Sequence, residues 1–356
     1  MIIIGVDAHK KSHTLVAVDG VGRKVGEQTV SATDDGHAKA VRWARATFGA
    51  DVVWALEDCR QVTTRLERAL LTAGAKVVRV PPHLTARMRR SARTPGKSDP
   101  IDALQVARVA QRETDLPVAV LDPVSREMKL LVDRRGILIA QRTAAISRLL
   151  WRIHELDPEH AVVGAQLNRT GHREDLAAWL ADQPGLVAEL ARDELADISH
   201  QSELVDALTK RIKAQARTVA PSLVAMPGCA ELTAAKIVGE AANVTRFRSV
   251  DAFAAYAGVV PVPNWSGGVI RHQASSRPGN RQLNSALHTI ARIQIQYGHA
   301  GKAYYEMRVE KGDDPRKARR ALKRRIAHAV YRRLRTDQRA QKTASLDARL
   351  DTLDES

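Results

Sequence analysis

The sequence predicts an α/β domain followed by a mostly helical remainder, and three observations carry that reading. Over 1–115, short apolar runs alternate with amphipathic helical patterns, as in strands and helices that share one layered core. From 123 onward apolar residues recur at helical spacing over much longer stretches. The chain then closes on a helix crowded with arginine and lysine.

The first strand is Ile2, Ile3, Ile4, Gly5, Val6 and Asp7, a continuous apolar run that reads as buried on both faces. It ends in a carboxylate and a polar turn of His9, Lys10, Lys11, Ser12 and His13. Desolvating a carboxylate there is costly unless a cation compensates it; otherwise Asp7 lies just past the strand and caps the turn. A second run over 14–19 follows at hairpin distance, then a strand over 24–30 and a helix over 35–48, with Thr33, Asp34 and Asp35 as capping candidates. The apolar run 51–57 again ends in acid, at Glu57. A helix over 61–73 leads to a strand over 76–80, which Pro81 and Pro82 terminate. Residues 83–97 read as a loop rich in arginine (Arg87, Arg89, Arg90, Arg93) beside an acidic site. A helix over 99–111 then opens at Asp99-Pro100-Ile101-Asp102, with Asp99 as N-cap.

Two long helices are expected, over 123–155 and 190–219, with Pro158, Gly164, Gly171 and Pro184 breaking the stretch between them. They form either an antiparallel coiled coil or part of a compact bundle. Met226-Pro227-Gly228-Cys229 before a helix over 231–240 has the form of a helix-hairpin-helix unit, whose turn and helix N-terminus can hold a phosphate backbone. A helix over 249–256, a loop over 258–279 containing Trp265-Ser266-Gly267-Gly268, and a helix over 280–296 follow. The basic helix carries Arg316, Lys317, Arg319, Arg320, Lys323, Arg324 and Arg325, and 342–356 reads as a frayed tail. The expected division is 1–115, 116–220, 221–310 and 311–356.

Lys and Arg total 56 against 40 Asp and Glu, a net charge of +16, which favours a polyanionic partner. Aromatic residues make up only 4%, against a surface that works mainly by stacking bases. Cys59 and Cys229 lie in unrelated contexts, which excludes a thiolate zinc site and fits a reducing cytoplasm. No run reaches membrane-spanning length, so no membrane partner is expected.

Four acids occupy related places: Asp7 and Glu57 at strand ends, and Asp99 and Asp102 three apart on one helix face. Carboxylates that converge repel one another and are tolerated when they share divalent cations, a standard device for phosphoryl transfer. Only oxygen ligands are on offer, which favours Mg²⁺ or Mn²⁺. Asp58 is a rival to Glu57, and strand alternation turns only one of them inward.

Gly5-Val6-Asp7-Ala8-His9-Lys10, Leu56-Glu57, Lys97-Ser98-Asp99-Pro100-Ile101-Asp102-Ala103, Pro227-Gly228, Ala257-Gly258-Val259-Val260-Pro261, Ser266-Gly267 and Pro278-Gly279-Asn280 together resemble the IS110-type insertion-sequence transposases. The resemblance covers nearly the whole chain. It implies an RNase H-like, RuvC-type N-terminal domain whose Asp-Glu-Asp-Asp set falls on Asp7, Glu57, Asp99 and Asp102, then a coiled-coil connection and a C-terminal transposase domain. It also implies a serine nucleophile at Ser266, while Ser275 and Ser276 are rivals in the same loop. The basic residues offered as nucleic-acid contacts are Lys10, Arg87, Arg90, Arg277, Arg320 and Arg324. The implied partners are donor and target DNA, a structured bridge RNA that delegates sequence to base pairing, and further copies of the chain as a dimer or tetramer.

Three other readings compete. A RuvC-like metal-dependent nuclease would use the four acids to activate water. An actin-like phosphotransferase would need a second glycine-rich phosphate loop, which is not found. A non-catalytic RNA-binding protein would leave the acids without a purpose.

Overall fold

The structure, a computed structural model, describes residues 1–57, 60–82, 84–86, 98–113, 116–266, 269–275 and 279–354. Of residues 60, 61, 261–266, 269–275 and 344–354 it describes the backbone. Arg87, Arg90, Asp58, Ser276 and Arg277 therefore lie outside the described residues. The chain divides into two compact units, Met1–Leu121 and Asp122–Ser356.

The first unit is built on a five-stranded mixed sheet in the order β3-β2-β1-β4-β5. The strands β1 (Ile2–Ala8), β2 (Ser12–Val18) and β3 (Lys24–Ser31) form an antiparallel meander, and β4 (Val52–Glu57) and β5 (Lys76–Val80) run parallel to β1. Parallel neighbours need crossovers, which α1 (Asp34–Phe48) and α2 (Arg60–Thr72) supply. Alternation along the strands decides the layers. Ile4, Val6, Trp54 and Leu56 pack with Ala40, Ala44, Leu66 and Leu70 of those helices. Ile3, Val53, Ala55 and Val80 pack with Val106, Ala107 and Val109 of α3 (Asp99–Arg112) on the other face. A sheet covered on both faces explains why β1 and β4 read as apolar throughout, and it fits the expected RNase H-like domain.

The cap of α3 differs from expectation. Ser98 is the N-cap residue, with Asp99 and Pro100 inside the first turn, so Asp99 is not the cap. Ser98 is extended and its carbonyl accepts from Asp102 N, which leaves the Asp99 side chain available for other partners.

The second unit is mainly helical. Helix α4 (Pro123–Leu156) and α6 (Gly185–Val219) lie antiparallel, tied by Arg148 to Glu194 at 2.7 and 2.8 Å, Arg142 to Ser202 at 3.1 Å and Arg135 to Thr209 at 2.7 Å. The buried residues of α6, Ala188, Ala191, Leu195, Ile198, Ser202 and Val205, are spaced alternately three and four apart, the spacing of a helix-helix seam. Helix α5 (Thr170–Ala181) packs into one end of this pair through Leu176 and Leu180. At the other end α7 (Pro221–Val224), α8 (Glu231–Ala241), α9 (Val250–Tyr256), α10 (Arg281–Gln296), α11 (Ala300–Glu310) and α12 (Pro315–Asp354) gather around Phe253, Leu287, Ile290 and Ile326.

Two expectations need correction here. The stretch 258–279 is not a plain loop: β6 (Pro261–Ser266) and β7 (Val269–Ser275) form an antiparallel hairpin. Val262, Trp265, Val269 and Ile270 suit strands, and a two-stranded hairpin tolerates Pro261 and Pro263 because its outer edges need no donor. The tail also stays helical to Asp354, consistent with its many alanine, leucine, lysine and arginine residues. Among the described residues no helix is long and apolar enough to cross a membrane.

Candidate active site

The acidic site is assembled by a close approach of α3 to β1. A Cβ on Gly5 would stand 2.1 Å from the Ala103 carbonyl oxygen and 2.4 Å from Ala107 N, so only glycine lets the helix rest on the strand here. Alternation puts Asp7 on the same face as Gly5, and the first turn of α3 carries Asp99 and Asp102 towards it.

Three side chains converge at that point. His9 Nε2 lies 3.1 Å from Asp7 Oδ2 and 3.4 Å from Asp99 Oδ1, and one ligand atom from each of Asp7, His9 and Asp99 falls within 4.8 Å of the others. Burial pushes the Asp7 carboxyl above the usual carboxylate range, the neighbouring charges of Asp102 and Asp99 push the same way, and His9 opposes them. A carboxylate held this way gains from a bound cation, and two carboxylates with an imidazole are donors a divalent metal accepts, so the residues fit such an ion.

Glu57 ends β4, the parallel neighbour of β1, in a register that pairs Leu56 with Val6. Val53 and Ala55 face α3, so alternation puts Glu57 on that side as well. Its Oε1 accepts from the hydroxyl of buried Thr85 at 2.5 Å, and that hydroxyl also lies 2.9 Å from the Pro82 carbonyl. Glu57 and Asp102 are not members of the tight three-residue cluster.

Two participants were not read from the sequence. His9 reads from the sequence as part of a polar turn, and its imidazole corrects the expectation of oxygen ligands alone by adding a nitrogen donor; a residue two past a strand-end acid shares its side of the strand, and this spacing is the available signal. Thr85 reaches Glu57 across 28 residues and left no local signal.

Ser266 closes β6 opposite Val269, and its side chain lies outside the description. Lys10 and Arg320 are exposed. Arg324 is 3.1 Å from Asp251 Oδ1, so its charge is shared with a carboxylate.

A carboxylate cluster on an RNase H-like sheet fits an enzyme that acts on nucleic acid with a divalent metal, and comparison with known proteins supplies the class. A transposase family model of the DEDD IS110 type matches residues 4–155, and the model of the transposase IS116/IS110/IS902 family matches residues 220–306. The chain belongs to the IS110 family of transposases and is an enzyme that acts on DNA by transposition. It is 25% identical to the IS900 uncharacterized 42 kDa protein of Mycobacterium paratuberculosis, over 93% of this chain and 95% of that one. It is 26% identical to the IS116 uncharacterized 44.8 kDa protein of Streptomyces clavuligerus, over 94% of each. Among solved structures it is similar to Thermus thermophilus RuvC, with 17% identity and a TM-score of 0.26, covering 32% of this chain and 98% of that one.

Proposed function

We propose that the protein is the recombinase of its insertion sequence, cutting and rejoining DNA through Ser266 with the aid of divalent metal held by Asp7, Glu57, Asp99 and Asp102. The observation that carries the reading is the convergence of Asp7, His9 and Asp99 beneath a helix that Gly5 admits. Bound Mg²⁺ or Mn²⁺ would supply positive charge to the developing negative oxygens of the reaction. Asp7, Glu57, Asp99 and Asp102 would hold that ion, His9 bridges Asp7 and Asp99, and Thr85 donates to Glu57.

Ser266 Oγ gives up its proton and bonds to phosphorus as one ester P–O bond of the DNA breaks and the departing oxygen takes a proton. The bond energy stays in a phosphoserine ester. Attack by the hydroxyl of another strand end then restores a phosphodiester and the serine, so rejoining needs no external energy source.

Sequence is delegated to a bridge RNA that pairs with donor and target DNA. A net charge of +16 with 4% aromatic residues supports a protein that grips backbone and shape, with Lys10, Arg87, Arg90, Arg277, Arg320 and Arg324 among the phosphate contacts. The unit 1–115 carries the metal site, the helices of 116–220 form a coiled coil that joins copies of the chain into a cytoplasmic homo-oligomer, 221–310 carries the serine hairpin with a helix-hairpin-helix turn on phosphate, and 311–356 adds a basic helix.

The test is cleavage of the element's junction DNA, with its flanking RNA, by wild type, Asp7→Asn, Asp99→Asn and Ser266→Ala. The recombinase reading expects all three variants to lose cleavage. Retained cleavage by Ser266→Ala would make the protein a metal-dependent nuclease.

A further inference from the structure

The hairpin β6–β7 forms a two-stranded sheet of its own. Such a hairpin is marginally stable alone, so the aim of its tip depends on how its neck is held. The neck consists of Ala257 and Gly258 on the way in and Gly279 and Asn280 on the way out. A Cβ on Gly279 would stand 2.6 Å from Gly258 Cα, so the two strands of the neck touch backbone to backbone, and Gly258 turns there with φ +66°.

Two asparagines at the start of α10 hold this neck: Asn284, one turn into the helix, bonds its incoming side, and Asn280, the N-cap on its outgoing side, ties it to α8 and α9. Asn284 Nδ2 donates to the Ala257 carbonyl at 2.9 Å and to the Gly258 carbonyl at 3.0 Å, while its Oδ1 accepts from Lys323 Nζ of α12 at 2.5 Å. Asn280 caps α10 by accepting from Leu283 N at 2.9 Å, and its Nδ2 donates to Glu240 Oε2 at 2.6 Å and to the Tyr256 hydroxyl at 3.1 Å. Glu240 is 5% exposed, and its other oxygen accepts from Lys129 Nζ at 2.5 Å. Lys129 reaches it because Gly239 admits α4: a Cβ there would stand 2.8 Å from Lys129 Cα.

Asn280 meets the cap requirement of α10 with its oxygen alone. Its Nδ2 is left to bind Glu240 and Tyr256, and the whole Asn284 amide to bind Ala257, Gly258 and Lys323. Each amide is braced by a lysine, directly through Lys323 or through the carboxylate of Glu240. Side chains whose rotamers are locked by such charged hydrogen bonds hold a reactive group to a narrow range of positions.

We propose that Asn280 and Asn284 are positioning residues, a two-point clamp on the neck of the hairpin that fixes the aim of Ser266 for strand cleavage. The proposal rests on the reading of Ser266 as nucleophile. A misplacement of about 1 Å at a reacting group can lower a rate on the order of 100-fold while leaving substrate binding intact.

The test compares full-length wild type, Asn284→Ala and Asn280→Ser with Mn²⁺, the element's junction DNA and its flanking RNA. Serine still caps a helix, so Asn280→Ser removes the tie to Glu240 with α10 intact and covers the case in which Asn284→Ala fails to fold. Four quantities are read: the rate of protein-DNA adduct formation at saturating DNA, DNA affinity, thermal midpoint, and amide exchange over 257–280. The clamp predicts adduct formation slowed on the order of 100-fold in a folded variant, with affinity unchanged and exchange raised in that segment alone. Adduct formation within about threefold of wild type overturns the proposal, as does a rate loss matched by lost DNA affinity. Wild type that cleaves without an adduct on Ser266 overturns the nucleophile reading itself, and the clamp's catalytic role falls with it.

Discussion

Asp7 ends a strand in which Ile3, Ile4 and Val6 are buried, and burial raises its carboxyl above the usual carboxylate range. A raised folded-state pKa means that the ionised group weighs against the metal-free fold at neutral pH, and that this penalty fades as the pH falls through the raised value. Asp7→Asn is therefore expected to raise the metal-free thermal midpoint of the first unit while abolishing the gain wild type shows with Mn²⁺. Thermal melts with and without Mn²⁺ check both halves; a lowered metal-free midpoint would mean that the bond to His9 outweighs burial. Gly5 acts through space alone. Gly5→Ala is expected to cost about 3 kcal/mol or more in urea unfolding and to weaken Mn²⁺ binding, because a Cβ 2.1 Å from the Ala103 oxygen must push α3, and Asp99 with it, off the strand.

Strand β2 and helix α1 meet through two buried histidines, with His13 Nε2 3.2 Å from His37 Nε2 and the rings stacked at 5.3 Å. Burial, followed by the charges of His37 and His9, pushes His13 down to about 4, and burial also lowers His37. Both pKa values fall below the ordinary 6.5, so the unfolded chain binds protons that the fold refuses. Stability from this pair is complete above about 6.5 and is lost as the pH falls from there towards about 4, on the order of 3 kcal/mol for His13. Urea unfolding at pH 7, 5.5 and 4.5 checks this, and His13→Gln should show a flatter decline than wild type. The elements of this unit were legible because β1 and β4 are nearly continuous apolar runs, Pro81 and Pro82 close β5, and α1 carries Thr33 as a cap that accepts from Gly36 N. The hairpin β6–β7 was hidden by Pro261, Pro263 and the surrounding glycines, which read as loop until the cross-strand pairing is seen. Asp7 and Asp99 were legible as strand-end and helix-start acids. Thr85 and the clamp of Asn280 and Asn284 depend on contacts between distant segments and left no periodic trace.

At the scale of the whole molecule the charge balance sets how nucleic acid is held. An excess of 16 positive charges predicts that affinity for the element's DNA falls steeply with salt, with a log-log slope of about −5 or steeper between 50 and 200 mM salt. Fluorescence anisotropy across that range measures the slope, and a slope near zero would separate the charge from binding. The proposed covalent bond between DNA and Ser266 has a more direct test. Junction DNA is incubated with the protein, its flanking RNA and Mg²⁺, the reaction is denatured and digested with protease, and the nucleotide-linked peptide is sequenced by mass spectrometry. A nucleotide is expected on Ser266, absent in Ser266→Ala and in Asp7→Asn. Cut DNA with no linked peptide, and continued cutting by Ser266→Ala, would contradict it.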